Sequence, residues 1–394
     1  MLTKLTQKWL LVLVGALLVA STVLAGCGTT TPPVTQPTTT TPPATPPATQ
    51  SPTPKPTSGT PIIPSPAATS MTGAGATFPQ YLYTKWFEVY NGLTGVKVNY
   101  QGVGSGGGIQ QIIAGTVDFG ASDGIMTADQ QASAETAGGP ILHIPMTSGA
   151  EAIVYNLSGI ASGQLKLTGD VLANIYLTNI KTWNDPAITA LNPGLNLPNT
   201  PIAVVHRSDG SGTTYIFTNY LTKVSPEWST KIGNATSVSW PASTIGGSGN
   251  AGVAGQVQQL PGAIGYVELA YAVQNNLAYA QLKNAVGTYL LPTLGGTTAA
   301  SIGVTLPDDM KIMLTNSSNG DAYPIVGFTW ILAYVNQKDK AKGQTLVNML
   351  WWAIHDGQQY ATPLLYAPLS SAAVNKAENE IMSIKYQGQP LITR

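Results

Sequence analysis

Past about residue 71 the apolar positions of the chain follow two alternating periods. The runs "VKVNYQG" (96–102), "VDFGAS" (117–122), "AEAIVYNL" (150–157), "IAVVHR" (202–207) and "AIGYVEL" (263–269) are short and rich in β-branched or aromatic residues, which predicts strands. Among them, "GGIQQIIAG" (107–115), "TTYIFTNYLTKV" (213–224) and "AGVAGQVQQL" (251–260) repeat apolar residues every three or four positions, which predicts helices. The longest helical pattern is "KAKGQTLVNMLWWAIHDGQQYA" (340–361). Such alternation predicts an α/β architecture with largely parallel sheets. No internal repeat emerges, and after the first 26 residues no apolar run is long enough to cross a bilayer.

The first 70 residues follow neither period. Lys4 and Lys8 precede a largely apolar run from Trp9 to Leu24, the pattern of an export signal over residues 1–26. It ends in Leu24-Ala25-Gly26-Cys27, and Cys27 is the only cysteine of the 394 residues. Small residues and one Cys after such a run resemble a bacterial lipobox, so Cys27 is the expected lipidation site. Buried acyl carbon is worth roughly 0.8 kcal/mol per CH₂, so two or three chains would anchor the protein to a membrane. Residues 28–70 hold 13 of the 29 prolines and one charge, Lys55. That composition predicts an extended spacer over 27–71, with a reach on the order of 130 Å.

Charge narrows the function. The chain carries 18 basic and 18 acidic residues, and removing Lys4, Lys8 and Lys55 leaves 15 against 18 for the folded part. That balance argues against a nucleic-acid surface, which needs a basic stripe. An anion site here must rely on locally aimed donors.

Three stretches offer them. "TGAGATFPQY" (72–81), "QGVGSGGGIQQI" (101–112) and "RSDGSGTTYIF" (207–217) each set Gly with Ser or Thr just ahead of an expected helix. Glycines let successive N–H groups point one way, a helix N-terminus adds unpaired N–H groups, and the hydroxyls add further donors. One such loop is an ordinary turn and helix cap; three in one α/β chain suggest a shared anion cradle. Arg207 suits it because a planar guanidinium can bond two oxygens at once. Its alternative role is a surface ion pair with Asp209.

Enzyme motifs are weaker. Gly102, Gly104 and Gly107 fit G-x-G-x-x-G, with Asp123 at the end of the next strand, but the preceding strand is polar, unlike the buried first strand of a dinucleotide fold. "GASDG" (120–124) matches G-x-S-x-G around Ser122, yet His206 and His355, which follow it, sit in no recognisable motif. With Cys27 assigned to lipid no thiolate chemistry remains, and no Asp/Glu spacing suggests a metal or other cofactor.

"GAGATFP", "VNYQGVGSGGGIQQIIAGTVDFGASD", "IAVVHRSDGSGT" and "LPGAIGYVE" together closely resemble the phosphate-binding protein family of the phosphate-specific ABC transporter, in order, from about Thr72 onward. The resemblance implies a type II periplasmic-binding-protein fold: two α/β lobes, 72–147 plus 324–394 and 148–323, joined by a two-segment hinge with the ligand in the cleft between them. It implies phosphate binding by Thr77 and the Phe78 main chain, Ser105, Asp123, Arg207, Ser211, Gly212 and Thr213, with Asp209 orienting the Arg. Many relatives have a second Arg where this chain has His206, and Ser-Ser where it has Ser105-Gly106. The implied protein is a monomeric, extracytoplasmic receptor that binds inorganic phosphate without catalysis, partnered by an ABC permease and ATPase in the membrane that anchors it. A secreted phosphatase on a related scaffold is the competing expectation, and an adhesive role suggested by the spacer is a third.

Overall fold

The computed structural model describes residues 61–393. The export signal, Cys27 and the spacer up to residue 60 lie outside these residues, and so does the expected lipidation. No helix among the described residues is long and apolar enough to cross a membrane.

A nine-stranded sheet runs through the molecule. Its order is Lys97–Gly102, Ser70–Gly75, Phe119–Ser122, Val326–Tyr334, Ile141–Tyr155, Ala263–Glu268, Ala203–Arg207 and Ile245–Gly247, with Ala278–Tyr279 also beside Ile141–Tyr155. Both flanks are parallel, as the strand–helix alternation predicts. The centre is not. Val326–Tyr334 runs antiparallel to both neighbours, and Ile141–Tyr155 is antiparallel to Ala263–Glu268. The expectation of largely parallel sheets is corrected accordingly: the chain crosses the middle of the sheet once in each direction, and opposed crossings must pair antiparallel. Residues 141–150 pair with Val326–Tyr334 and residues 151–155 with Ala263–Glu268, so one 15-residue strand belongs to both flanks.

Parallel strands feeding helices bring helix N-termini to the carboxyl edge of a sheet. Here Ser70–Gly75 leads to helix Gln80–Thr94, Lys97–Gly102 to Ser105–Ile113, Ala203–Arg207 to Gly212–Val224, and Ile245–Gly247 to Gly249–Gln259. The first helix buries Leu82, Tyr83, Trp86, Phe87 and Tyr90, a single face at helical spacing, and stops at Gly95 in the left-handed conformation. Burial of side chains this large stabilises by roughly 1.5–3 kcal/mol each. The face holds the helix, and hence the Thr77 loop before it, against the sheet.

Two boundaries differ from expectation. The pattern over 340–361 is an α-helix only over Lys340–Ile354; a 3₁₀ segment, Asp356–Tyr360, follows. There the Gly357 carbonyl turns to accept the Trp86 indole N–H at 2.6 Å, a tertiary bond that a continued helix would forbid. The expected spacer also ends early. Residues 61–70 lie on the body: Ile62 bridges to Thr393, the Ala67 and Ala68 N–H groups donate to Thr345 Oγ1, and Ser70 opens the first strand. The Thr345 hydroxyl and strand pairing with Lys97–Gly102 capture backbone that composition alone marks as spacer.

Candidate functional site

The three loops singled out from sequence meet at one place. Thr77 is 6 % exposed, Arg207 3 % and Asp123 1 %, while Phe78, Ser105, Ser211 and Thr213 are fully buried. Loops 104–106 and 209–212 touch backbone to backbone, the Gly106 N–H donating to the Gly210 carbonyl at 2.8 Å. Glycine is required at this seam. A Cβ on Gly104, whose φ is +85°, would lie 2.2 Å from Asp209 Oδ2, and one on Gly212 would lie 2.5 Å from Asp123 Oδ2.

The hydroxyl groups are arranged unusually. Ser105 Oγ accepts from the Asp123 N–H at 3.2 Å and from the Gly212 N–H at 2.9 Å. Thr77 Oγ1 accepts from the Asn250 N–H and from Asn250 Nδ2, at 3.2 and 3.0 Å. Thr213 Oγ1 accepts from Arg207 Nη1 and from Asn250 Nδ2, both at 3.1 Å. A hydroxyl has two lone pairs and one hydrogen, so each of these three has only its hydrogen left to offer. Ser211 instead caps the helix Gly212–Val224, accepting from the Thr214 N–H at 3.1 Å. The Thr213 N–H, in the first turn of that helix, has by position no intrahelical acceptor, and the Phe78 N–H finds none among the described residues. The N–H of Gly212, expected among the phosphate-binding residues, is given to Ser105 Oγ.

Arg207 is a buried ion pair, not a surface one. Its Nε and Nη2 donate to the two carboxylate oxygens of Asp209 at 2.8 and 2.5 Å, and Nη1 donates to Thr213. Three of its five hydrogens are spent, which leaves one on each terminal nitrogen. Asp209 also accepts from the Gly249 N–H at 2.9 Å. Burial would raise its pKa, but the Arg207 hydrogen bonds and charge hold it below the ordinary carboxylate value. The neighbouring His206 stacks on Trp240 with ring centres 4.7 Å apart, and burial pushes its pKa down, so it adds no lasting positive charge.

Asp123 is the exception in a nest of donors. Neither carboxylate oxygen has a hydrogen-bond partner among the described residues. Burial pushes its carboxyl up to about 7, against the pull of Thr329, the Arg207 charge and Ser105. A buried carboxyl beside donors aimed at an anion can accept a proton that the anion itself carries.

The enzyme motifs fare differently. Ser122 Oγ donates to the Gly124 carbonyl at 2.5 Å and accepts the Gly124 N–H at 3.0 Å, so it closes a turn; His355 pairs with Glu378. Lys97–Gly102, ahead of the G-x-G-x-x-G run, is an edge strand, whereas a dinucleotide fold needs a central one. Among the described residues, no cluster of His, Cys, Asp or Glu is disposed to hold a metal.

One residue escaped the sequence reading. Asn250, fully buried at the start of helix Gly249–Gln259, touches both Thr77 and Thr213. The signal was present: "GGSGN" (246–250) repeats the Gly-Ser grammar ahead of a fourth helix.

The model of a PBP superfamily domain matches residues 53–347. The phosphate-binding protein PstS of Xylella fastidiosa (strain 9a5c) is 44% identical over 313 residues, 79% of this chain and 84% of that one. The PstS of Pasteurella multocida (strain Pm70) is 45% identical over 313 residues, 79% of this chain and 89% of that one. Among solved structures, a high-affinity periplasmic phosphate-binding protein with bound phosphate, PfluDING, superposes with a TM-score of 0.65 at 23% identity, covering 79% of this chain and 93% of that one. At that identity the likeness speaks for the fold, which is the type II periplasmic-binding fold. The chain belongs to the PBP superfamily and, within it, to the family of PstS phosphate-binding proteins.

Proposed function

We propose that this protein is an extracytoplasmic receptor that binds inorganic phosphate and delivers it to an ABC importer, without catalysis. The observation that carries the reading is the trio Thr77, Ser105 and Thr213, each with both lone pairs occupied and its hydrogen left to donate. With the two remaining Arg207 hydrogens and the Phe78 and Thr213 N–H groups, they form a donor set suited to a tetrahedral oxyanion. Ser211 and Gly212 shape it, and Asp209 orients the guanidinium.

Phosphate taken out of water loses several kcal/mol of hydration, and a full set of aimed donors replaces it. Asp123 accepts the hydrogen of the P–OH group. Sulfate near neutrality has no hydrogen to give and meets the carboxylate with a lone pair, so Asp123 discriminates by repulsion. In this reading residues 72–147 with 324–394 form one lobe and 148–323 the other. The donor set is complete only when the lobes close, so phosphate favours the closed form and the importer recognises loaded protein by its shape. A monomer tethered through lipid on Cys27, acting with a membrane permease and ATPase, completes the reading. Calorimetric titration with phosphate and with sulfate tests it: tight phosphate uptake and weak sulfate uptake are expected, and absence of phosphate binding refutes it.

A further inference from the structure

Thr77 and Thr213 reach the site from segments far apart in the chain, yet one buried side chain serves both. Asn250 lies 173 residues from Thr77 and 37 from Thr213. A carboxamide can be turned end for end without changing its outline. Here the Glu268 N–H requires an acceptor and lies 2.9 Å from Asn250 Oδ1, which fixes the oxygen and leaves Nδ2 facing the two threonines. Nδ2 has two hydrogens; one goes to Thr77 Oγ1 at 3.0 Å and the other to Thr213 Oγ1 at 3.1 Å. The Asn250 main-chain N–H adds a second bond to Thr77 Oγ1.

We infer that Asn250 is a positioning residue of the phosphate site: its carboxamide completes the acceptor capacity of two hydroxyls and so obliges both to donate toward the anion. The inference rests on the reading of this site as a phosphate receptor. Asn250 thereby converts groups that could donate or accept into donors only, without touching the ligand and without adding charge. Because the proposed lobes contribute Thr77 on one side and Asn250 with Thr213 on the other, the same two hydrogens also tie closure to donor direction. In the open form Thr77 loses its partner and its hydroxyl turns freely; on closure it is set.

The test is a double-mutant cycle on the full chain, titrated with inorganic phosphate. Asn250→Leu keeps the approximate size and removes both Nδ2 donors; Thr77→Val removes one recipient. Asn250→Leu is expected to lower phosphate affinity about 10- to 100-fold. In the Thr77→Val background the same change is expected to lower affinity only about 3- to 10-fold, since one of the two hydroxyls it orients is gone. An Asn250 acting only through packing would cost the same in both backgrounds, and that result overturns the inference, as does a single variant within threefold of the wild type. A wild-type measurement covers the case of a variant that fails to fold. Both Nδ2 hydrogens of Asn250 are expected to exchange slowly with solvent when phosphate is bound, and rapid exchange in the loaded protein overturns the inference. A wild-type chain that takes up no phosphate overturns the functional reading and this inference with it. A wild type that binds while Asn250→Leu binds equally well overturns the inference alone.

Discussion

Two buried polar regions of this molecule are out of balance in opposite directions. At the candidate site, donors outnumber acceptors: three hydroxyl hydrogens, two guanidinium hydrogens and two main-chain N–H groups have no acceptor among the described residues, against the single unpartnered carboxyl of Asp123. In the crossing strands, acceptors outnumber donors. Glu151 and Glu268 stand directly opposite each other across an antiparallel pair, so both side chains share a face, and both are fully buried. Neither oxygen of Glu151 has a partner among the described residues; Glu268 Oε2 accepts from the Ala270 N–H, and the Tyr366 hydroxyl lies 3.1 Å away. That hydroxyl has one hydrogen, and the Phe78 carbonyl, at 2.7 Å, is the nearer acceptor. Burial first, and then the neighbouring carboxylates, push both glutamates well above the ordinary range, with Arg207 opposing for Glu151. A surplus of donors is resolved by an anion and a surplus of acceptors by a proton. The same burial thus prepares one region for a ligand and disfavours charge in the other.

The comparison breaks most visibly at Arg207. Arg207→Lys keeps the charge but replaces a fork by a point, and is expected to weaken phosphate binding by about 1.5–3 kcal/mol in calorimetric titration. Unchanged affinity would mean that the cleft works by field and not by aimed hydrogens.

Glu151→Met tests the other side. Removing two unpartnered buried oxygens is expected to raise the stability of the ligand-free protein at pH 8 by about 1–3 kcal/mol in denaturant unfolding. The pH dependence carries the sign. Asp123, with its carboxyl at about 7, and the two glutamates, raised well above the ordinary carboxylate range, hold protons in the folded state that the unfolded chain releases near pH 4. Stability of the ligand-free protein therefore falls as pH rises from about 4 through 7, and Glu151→Met flattens that fall. Stability that instead rises with pH would show charged carboxylates in the crossing strands.

Asp123→Asn sharpens the comparison where the two regions meet. It is expected to shift the phosphate-to-sulfate affinity ratio toward sulfate by about tenfold, the cost of one hydrogen bond exchanged for a repulsion. An unchanged ratio in competitive titration would show that Asp123 does not discriminate between the two anions. The smallest effect concerns neither region. A chain starting at residue 61 is expected to bind phosphate within about twofold of the full chain, whereas one starting at residue 71 loses the Thr345 and Ser70 contacts and melts earlier.

The donor side of this contrast was legible in the sequence and the acceptor side was not. Loops 72–81, 101–112 and 207–217 announced themselves because Gly, Ser and Thr ahead of a helix have a local meaning. The loop before Asn250 has the same meaning and passed unnoticed because the strand ahead of it, Ile245–Gly247, is too short to show a pattern. Strand Ile141–Tyr155 was read only in its second half: Pro145 and Gly149 interrupt it, and its register against Val326–Tyr334 shifts where Pro145 faces Trp330. Buried on both faces, it shows no alternation to read. The pairing of Glu151 with Glu268 depends on how crossing strands align, a long-range fact that no local pattern carries.

The glycine seam sets a clock as well as a fit. Two main-chain hydrogens cross it, from Gly106 to the Gly210 carbonyl and from Gly212 to Ser105. Both are exchangeable, and solvent reaches them when loops 104–106 and 209–212 part. With the lobe closure proposed above, their exchange rates report how readily the seam opens, and bound phosphate is expected to slow them by the factor by which it disfavours opening.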